Sequence, residues 1–211
     1  MNTGMLIAFE GIDGTGKSSQ LKMLAGYLEE NGHQVVTTFE PTNSSYGLRI
    51  RELYKNRSSC TPAEELGLFI EDRRLHVREL IEPETAAGKI VLTDRYYYST
   101  AAYQGTASGE AGPDVEDIFA LNSFAPQPEL VILLTMEPEL SIERIRQGRG
   151  EELNDFEQLE QLRQVAARFA LFDDLCIRRI DASGDMKQVQ DAIRAVVEEK
   201  ILRFPGMSNG E

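Results

Sequence analysis

Short apolar runs alternate along this chain with longer segments whose apolar residues recur at helical spacing. Such runs are typical of buried strands, and the segments between them are typical of amphipathic helices. The predicted strands are Leu6–Phe9, Val35–Phe39, Ile90–Thr93, Leu130–Thr135 and Cys176–Ile180. The predicted helices are Ser18–Glu30, Tyr46–Lys55, Ala63–Ile81, Asp114–Asn122, Glu139–Arg146, Phe156–Asp174 and Met186–Leu202. Because apolar strands separated by helices form parallel sheets covered on both faces, the order predicts a three-layer α/β/α fold with a five-stranded parallel sheet.

A single domain accounts for this pattern. The 211 residues suit one well-buried α/β core, and no internal repeat or interdomain linker interrupts them. We therefore assign residues 1–204 to one domain and residues 205–211 to a C-terminal tail. Within the domain, Pro83 and Gly88 are expected to end the third helix before the third strand.

The composition narrows the classes of partner. The formal net charge of −13 argues against sequence-independent binding of nucleic acid, since such binding depends on Lys and Arg neutralising phosphates. No apolar run approaches the length of a transmembrane helix and no signal sequence is recognisable, so we expect no membrane partner. Cys60 and Cys176 lack the spacing of a disulfide framework or a metal site, so a reducing cytoplasm is the predicted location.

A phosphate-binding loop follows the first predicted strand and opens the first helix. Its sequence is Gly11-Ile12-Asp13-Gly14-Thr15-Gly16-Lys17-Ser18, which matches G-x-x-x-x-G-K-[ST]. Glycines let backbone N–H groups approach phosphate oxygens, and the helix dipole adds positive potential there. Lys17 is expected to reach the β- and γ-phosphates, and the Ser18 hydroxyl is expected to ligate Mg²⁺. The predicted nucleotide-binding set is Gly11, Ile12, Asp13, Gly14, Thr15, Gly16, Lys17, Ser18 and Ser19.

Two further pairs of residues carry candidate chemistry. Asp94 and Arg95 end the third strand, so they should face the same crevice as the phosphate-binding loop. Asp94 could hold Mg²⁺ directly or through water, and Arg95 offers a planar fork for a phosphate; alone, the pair could equally be a surface ion pair. Phe69 and Arg73 share one helix face, either as a clamp on a nucleotide base or as a core aromatic beside a surface arginine.

Four segments in order resemble those of the thymidylate kinase family. They are Phe9-Glu10-Gly11-Ile12-Asp13-Gly14-Thr15-Gly16-Lys17-Ser18-Ser19-Gln20, then Glu40-Pro41-Thr42, then Phe69-x-x-Asp72-Arg73, then Asp94-Arg95-Tyr96-x-x-Ser99-Thr100-x-Ala102-Tyr103-Gln104-Gly105. The resemblance covers nearly the whole chain. It implies a P-loop nucleoside monophosphate kinase with a lid, Mg²⁺-dependent transfer of the γ-phosphoryl group from ATP to dTMP, and a homodimer.

The resemblance also implies roles for particular residues. Arg95 would bind the acceptor phosphate, and Asp13 would lie near the 3′-hydroxyl and the transferring phosphates. Phe69 would stack on thymine while Arg73 donates to its O4, which leaves two donors opposed if cytosine binds instead. The remaining residues predicted to contact the acceptor are Pro41, Ser99, Thr100, Tyr103 and Gln104. Ser99 or Thr100 could complete the base edge, and Tyr103 could either crowd the 2′ position or pack in the core.

The chain departs from the family pattern around its lid, which we place at residues 144–157. Family members carry an arginine either inside the phosphate-binding loop or in the lid, and this loop has Gly14 at that place. We therefore expect Arg149, helped by Arg146, to close onto the phosphates, although these side chains could also only solvate a loop. Asp155 falls about where a second lid arginine is often found. Thr135 stands where the fourth strand often ends in Asp, and it has no mechanistic interpretation.

Two other functions fit the same motifs. One is a P-loop kinase for another nucleotide or for a deoxynucleoside, which would need Glu10 or Asp13 as a base near the 5′-hydroxyl. The other is a nucleotide-binding protein with weak activity that serves as a sensor or structural subunit. The phosphate site at Arg95 favours a nucleoside monophosphate as acceptor.

Overall fold

Five parallel strands form one sheet at the centre of the protein. The computed structural model describes residues 4–54, 59–105, 113–149 and 158–204, without the side chains of residues 148 and 149. The strands are β1 (Met5–Glu10), β2 (Val35–Phe39), β3 (Ile90–Asp94), β4 (Leu130–Thr135) and β5 (Ile177–Asp181). Their order is β2-β3-β1-β4-β5, and every neighbouring pair is parallel. The predicted five-stranded parallel sheet is confirmed.

Helices connect the strands and cover both faces of the sheet. They are α1 (Lys17–Glu30), α2 (Ser45–Leu53), α3 (Pro62–His76), α4 (Glu82–Ala86), α5 (Tyr97–Gln104), α6 (Val115–Leu121), α7 (Pro138–Arg149), α8 (Leu159–Leu171) and α9 (Met186–Arg203). Between α3 and α4 the chain makes a π-helical turn, Val77–Ile81. None of the described helices combines the length and the apolarity needed to cross a membrane.

Alternate residues of the strands enter two separate hydrophobic cores. Leu6 of β1 packs with residues of α3, α5 and α8 on one face, whereas Ile7 packs with residues of α1 and α9 on the other. This alternation follows from the two-residue period of a strand. Because both faces are buried, the strands consist of almost continuous apolar runs, which is why the sequence pattern identified them.

Several helix ends differ from prediction; α8, for example, ends at Leu171 rather than at Asp174. Pro83 does not end the third helix: the chain continues through the π-helical turn into α4, where Pro83 lies in the first turn. The stop comes at Gly88, whose φ of 83° is left-handed. Likewise α7 runs to Arg149 rather than ending at Arg146. Most of the predicted lid, residues 150–157, and the predicted tail, residues 205–211, lie outside the described part.

Helix α5 was not predicted from the sequence. Its residues include aromatic and β-branched side chains with modest helix propensity, so the local pattern gave no helical signal. Tyr97 and Tyr98 lie in the core that contains Leu6, where both rings make edge-on contacts with Phe119. Contacts with the rest of the fold therefore stabilise α5. This helix places Ser99, Thr100 and Tyr103 beside the ends of the strands.

The hydroxyl group of Tyr96 gives a test of this packing. It is buried and, within the described residues, has no hydrogen-bond partner. An unpaired buried hydroxyl costs about 1–3 kcal/mol, so Tyr96→Phe should raise the free energy of unfolding by about 1 kcal/mol. Tyr98→Phe is the matched control, because the Tyr98 hydroxyl lies 3.5 Å from Cys176 Sγ and should not gain stability when removed. Equal midpoints in urea for Tyr96→Phe and the unmodified protein would contradict the expectation.

Candidate active site

A cleft of about 730 Å³ opens at the carboxyl edge of β1, β2 and β3. Ten residues that the sequence analysis predicted as ligands line it: Asp13, Ser18, Pro41, Phe69, Asp94, Arg95, Ser99, Thr100, Tyr103 and Gln104. The pairing of the strands explains why these residues lie together, since Phe9 of β1 and Phe39 of β2 both lie opposite Asp94 of β3. Eight other lining residues were not predicted as ligands in the sequence analysis: Leu21, Lys22, Thr37, Thr38, Phe39, Glu40, Arg51 and Tyr54. Only Glu40 carried a signal, because it begins the Glu40-Pro41-Thr42 segment.

The phosphate-binding loop has the backbone that its glycines predict. Gly11 has a φ of 130°, and a Cβ there would lie 2.3 Å from the Leu134 carbonyl oxygen. Gly16 caps α1 in a left-handed conformation without any side-chain cap. The first N–H groups of α1 are therefore left for an anion, as at other helix N-termini that bind phosphate.

Lys17 points back onto its own loop. Its Nζ donates to the Ile12 carbonyl at 2.9 Å, and Thr15 Oγ1 donates to the same oxygen at 2.9 Å. Burial lowers the pKa of Lys17 to about 8, with the Arg95 charge adding to the effect and Asp13 opposing it. A triphosphate in the loop would supply the anionic partners that the ammonium group lacks.

Ser18 and Asp94 form a candidate Mg²⁺ site. The Ser18 hydroxyl donates to Asp94 Oδ2, which joins the start of α1 to the end of β3. A hydroxyl and a carboxylate are oxygen ligands of the kind that Mg²⁺ takes, so the residues present fit the ion. Among the described residues no three carboxylate, His or Cys side chains cluster around a possible metal. Phosphate oxygens and water would have to complete the coordination.

Arg95 crosses the cleft to the phosphate-binding loop. Its Nη2 lies 2.6 Å from Asp13 Oδ1, and its Nη1 donates to Ser99 Oγ at 2.9 Å. Tyr103 donates its hydroxyl hydrogen to the other Asp13 oxygen at 3.0 Å, and its ring faces the guanidinium. Burial alone would raise the pKa of Asp13, but the Arg95 and Lys17 charges outweigh it and lower the pKa to about 2. Asp13 is therefore ionised at every physiological pH.

The other end of the cleft is built on α3. That helix begins with a capping box in which Thr61 and Glu64 bond each other's backbone N–H groups, and Pro62 occupies its first turn. Phe69 lines the cleft one turn before Arg73. Asp72 of the same helix accepts from the backbone N–H and hydroxyl of Thr42 and so holds the loop that follows Pro41.

Arg73 lies behind the wall of the cleft rather than along it. Its guanidinium donates to Glu40 at 2.9 and 2.5 Å, to Asn122 Oδ1 at 2.5 Å and to Thr100 Oγ1 at 2.9 Å. These bonds occupy four of its five N–H groups. Burial raises the pKa of Glu40, but Arg73 and His76 together lower it below its usual value. The direct contact of Arg73 with a base therefore stays a prediction, and one N–H on Nη1 remains for it.

Helix α7 packs directly against the phosphate-binding loop. The Ser141 hydroxyl donates to the Asp13 carbonyl, and a Cβ on Gly14 would lie 2.6 Å from the Ser141 carbonyl oxygen. A side chain at position 14 would collide with α7 as it is packed here, so the loop has no room for the arginine that some family members carry unless α7 shifts. Arg144 donates to the carbonyls of Ala182 and Ser183 and ties α7 to the turn after β5.

Three further positions singled out in the sequence are not among the residues described at the cleft. The Thr135 hydroxyl donates to the Ile180 carbonyl at 3.3 Å, so it joins β4 to β5. The side chain of Arg149 lies outside the described part of the chain, and Arg146 is exposed on α7. Their role at the phosphates stays a prediction.

Comparison with known proteins agrees with the geometry of the cleft. The family model described as Thymidylate kinase matches residues 9–193. A protein of Desulfotalea psychrophila named "Thymidylate kinase" is 51% identical over 198 residues, which cover 94% of this chain and 96% of that one. This chain belongs to the thymidylate kinase family. The predicted resemblance is thereby confirmed, and with it a nucleoside monophosphate kinase that uses ATP.

Other members of the thymidylate kinase family match over similar lengths. A "Thymidylate kinase" of Brachyspira hyodysenteriae is 40% identical over 201 residues, with 94% of this chain and 96% of that one covered. A "Probable thymidylate kinase" of Archaeoglobus fulgidus is 40% identical over 195 residues, with 92% and 95% covered. The likeness therefore extends over the sheet, the cleft and the helices on both faces.

The contact between Gly14 and α7 leads to a testable expectation. Gly14→Ala places a Cβ against Ser141 at a φ of 81°, so either the loop or α7 must shift. Strain of this kind costs about 1–3 kcal/mol, and we expect a loss of that size in the free energy of unfolding together with weaker ATP binding. Urea unfolding and calorimetry would measure both.

The matched control for this substitution is Gly26→Ala. Gly26 lies inside α1, and a Cβ there meets nothing within 4 Å. Alanine is a better helix former than glycine, so this variant should gain up to about 1 kcal/mol and bind ATP normally. If Gly14→Ala matched Gly26→Ala in both measurements, the steric argument would be wrong.

Proposed function

We propose that the cleft holds dTMP for in-line attack on the γ-phosphate of ATP. An oxygen of the acceptor phosphate forms the new bond to γ-phosphorus while the bond to the β,γ-bridging oxygen breaks, which gives dTDP and ADP. One observation carries the proposal: Ser18, in the uncapped first turn of α1, and Arg95 line the same cleft. That turn can hold the donor phosphates and Arg95 can hold the acceptor phosphate.

The reaction then depends on position and charge rather than on a covalent enzyme intermediate. Lys17 would turn from the Ile12 carbonyl to the transferring phosphates, and Asp13 would lie between them and the sugar. Mg²⁺ held by Ser18 and Asp94 would offset negative charge on the donor phosphates. Arg95 would keep the acceptor phosphate in line.

The nucleoside end of the acceptor site follows from the contacts of α3 and α5. Phe69 supplies a ring for stacking on thymine, and the remaining N–H of Arg73 would donate to O4. Thr100 bonds Arg73 whereas Ser99 bonds Arg95, so we assign Thr100 to the base end and Ser99 to the phosphate end. Tyr103 is bonded to Asp13, and its ring would stand beside the 2′ position and disfavour ribose.

A deoxynucleoside kinase is less well supported. Glu10 is fully buried, and both its carboxylate oxygens accept hydrogen bonds from the start of α5, so it is poorly placed to take a proton from a 5′-hydroxyl. Asp13 is ionised but bonded to Arg95 and Tyr103, an arrangement that suits a phosphorylated acceptor. The homodimer and the cytoplasmic location stay predictions.

An assay of ADP release with ATP and Mg²⁺ tests the function. We expect dTMP to be the best acceptor, and dCMP to have a kcat/KM at least about 100-fold lower because its amino group opposes Arg73. Thymidine should release no ADP. Lys17→Ala should abolish turnover in a protein that folds normally. Folded protein that releases no ADP with dTMP, or that prefers thymidine, would overturn the proposal.

The lid arginine has its own test. Because the loop has Gly14 and no arginine, we propose that Arg149 supplies positive charge at the transferring phosphate, with Arg146 in a lesser role. Arg149→Ala should lower kcat by roughly 10³–10⁵-fold, the range measured for arginines supplied in this way. Arg203→Ala on α9, which removes an exposed ion pair with Glu199, should leave kcat unchanged. A loss below about tenfold for Arg149→Ala would remove Arg149 from the mechanism.

A further inference from the structure

Glu10 ends strand β1 with its carboxylate buried beneath the start of α5. Its Oε1 accepts from the backbone N–H groups of Tyr96 at 2.9 Å and Ser99 at 3.1 Å, and its Oε2 accepts from the Ser99 hydroxyl. Tyr96 is the N-cap of α5 and supplies no capping side chain of its own. A carboxylate from a different element therefore satisfies the N–H groups that α5 leaves open.

The residue just before this cap, Arg95, has an unusual backbone. Its φ is 74°, and among the described residues it is the only non-glycine with a positive φ. An L-residue in that region carries a cost of about 1–2 kcal/mol, so neighbouring contacts must hold it there. The Arg95 N–H donates to the Phe9 carbonyl at 2.9 Å, and the next N–H, that of Tyr96, donates to Glu10. Phe9 and Glu10, the last two residues of β1, thus fix the backbone on both sides of Arg95.

The side chain of Arg95 is held through the same carboxylate. Ser99 gives its hydroxyl hydrogen to Glu10, which leaves its oxygen to accept from Arg95 Nη1 at 2.9 Å. If an amide replaced the carboxylate, its N–H₂ group would also point a hydrogen at Ser99 Oγ. Two donors would then compete for one oxygen, and the hydroxyl hydrogen would lose its acceptor. The direction of the guanidinium therefore depends on a carboxylate at position 10.

We propose that Glu10 is a positioning residue that aims Arg95 at the phosphate of the acceptor nucleotide. Glu10 is fully buried and is not among the residues that line the cleft, so it would act without touching either nucleotide. The inference rests on the proposed function of Arg95 and adds the reason why its guanidinium faces Asp13 before any nucleotide arrives. It also predicts that the effect of Glu10 is confined to the phosphate end of the cleft.

Glu10→Gln is a suitable variant because it should fold. Burial raises the pKa of Glu10 to about 7, despite the opposing effects of its bonds to Ser99 and of the Arg95 charge. The folded state therefore binds this proton more tightly than the unfolded state does. Ionisation of Glu10 then makes the folded protein less stable as pH rises from about 4.5 to 7. An uncharged amide of the same shape avoids that loss, so the unfolding midpoint of Glu10→Gln in urea at pH 8 should be no lower than that of the unmodified protein.

The experiment compares dTMP with thymidine, which lacks the phosphate. Calorimetry on the unmodified protein gives the ratio of the two dissociation constants, and this ratio measures what the phosphate contributes. Glu10→Gln should reduce the ratio by about 10–100-fold, as small misplacements of a contact do, while the Kd for thymidine and the KM for ATP stay within about twofold. The double variant Glu10→Gln/Ser99→Ala should match Ser99→Ala alone, because Glu10 acts through Ser99.

Glu40→Gln is the matched control. It makes the same chemical change in a buried carboxylate at the base end, where Glu40 holds Arg73. It should weaken dTMP and thymidine alike and leave the ratio unchanged. If Glu10→Gln keeps the ratio of the unmodified protein, or weakens both ligands equally as a general structural change would, the inference is wrong. If the unmodified protein binds dTMP no better than thymidine, the proposed function fails instead.

Discussion

The parallel pairing of β1 with β3 is the constraint on which the cleft depends. It sets Phe9 opposite Asp94, so the phosphate-binding loop and the Asp94-Arg95 turn leave the sheet side by side. Parallel strands bring their carboxyl ends to one edge, where backbone groups have no further strand to bond. The two phosphate sites of a transfer reaction can therefore face each other without any long loop between them. A one-residue slip in register would turn the alternating side chains of β1 to the wrong cores.

Each of two cations in the cleft has a partner within the protein that a nucleotide phosphate could replace. Arg95 rests on Asp13, and Lys17 rests on a carbonyl of its own loop. Each group keeps hydrogen-bond partners in the free protein, which limits the cost of partial burial. We propose that phosphate oxygens replace these partners when a nucleotide binds, so neither cation is left unpaired in the free protein.

At the end of the cleft where the base is proposed to bind, buried side chains form a hydrogen-bonded network just behind the residues that line the cleft. Arg73 and His76 come from α3, Glu40 directly follows β2, and Asn122 reaches Arg73 from the end of α6. Replacing one member of such a network leaves the others buried and unpaired, so its members hold one another in place. Selectivity for a base would then depend on residues that never touch it, because they decide which N–H of Arg73 is left to donate.

The sequence alone determined the strands, the phosphate-binding loop and the family, because each depends on residues close together in the chain: uninterrupted apolar runs for the strands, eight residues for the loop and a few residues within each family segment. Ten residues predicted as ligands also line one cleft, since strand ends meet at one edge in any parallel sheet. What only the tertiary structure decided lies in contacts between residues far apart in the chain. Glu10 meets Ser99 across 89 positions, Arg73 meets Asn122 across 49, and Ser141 meets Asp13 across 128. Helix α5, the left-handed Arg95 and the closed space at Gly14 all follow from such contacts, and no local pattern of apolar and polar residues encodes them.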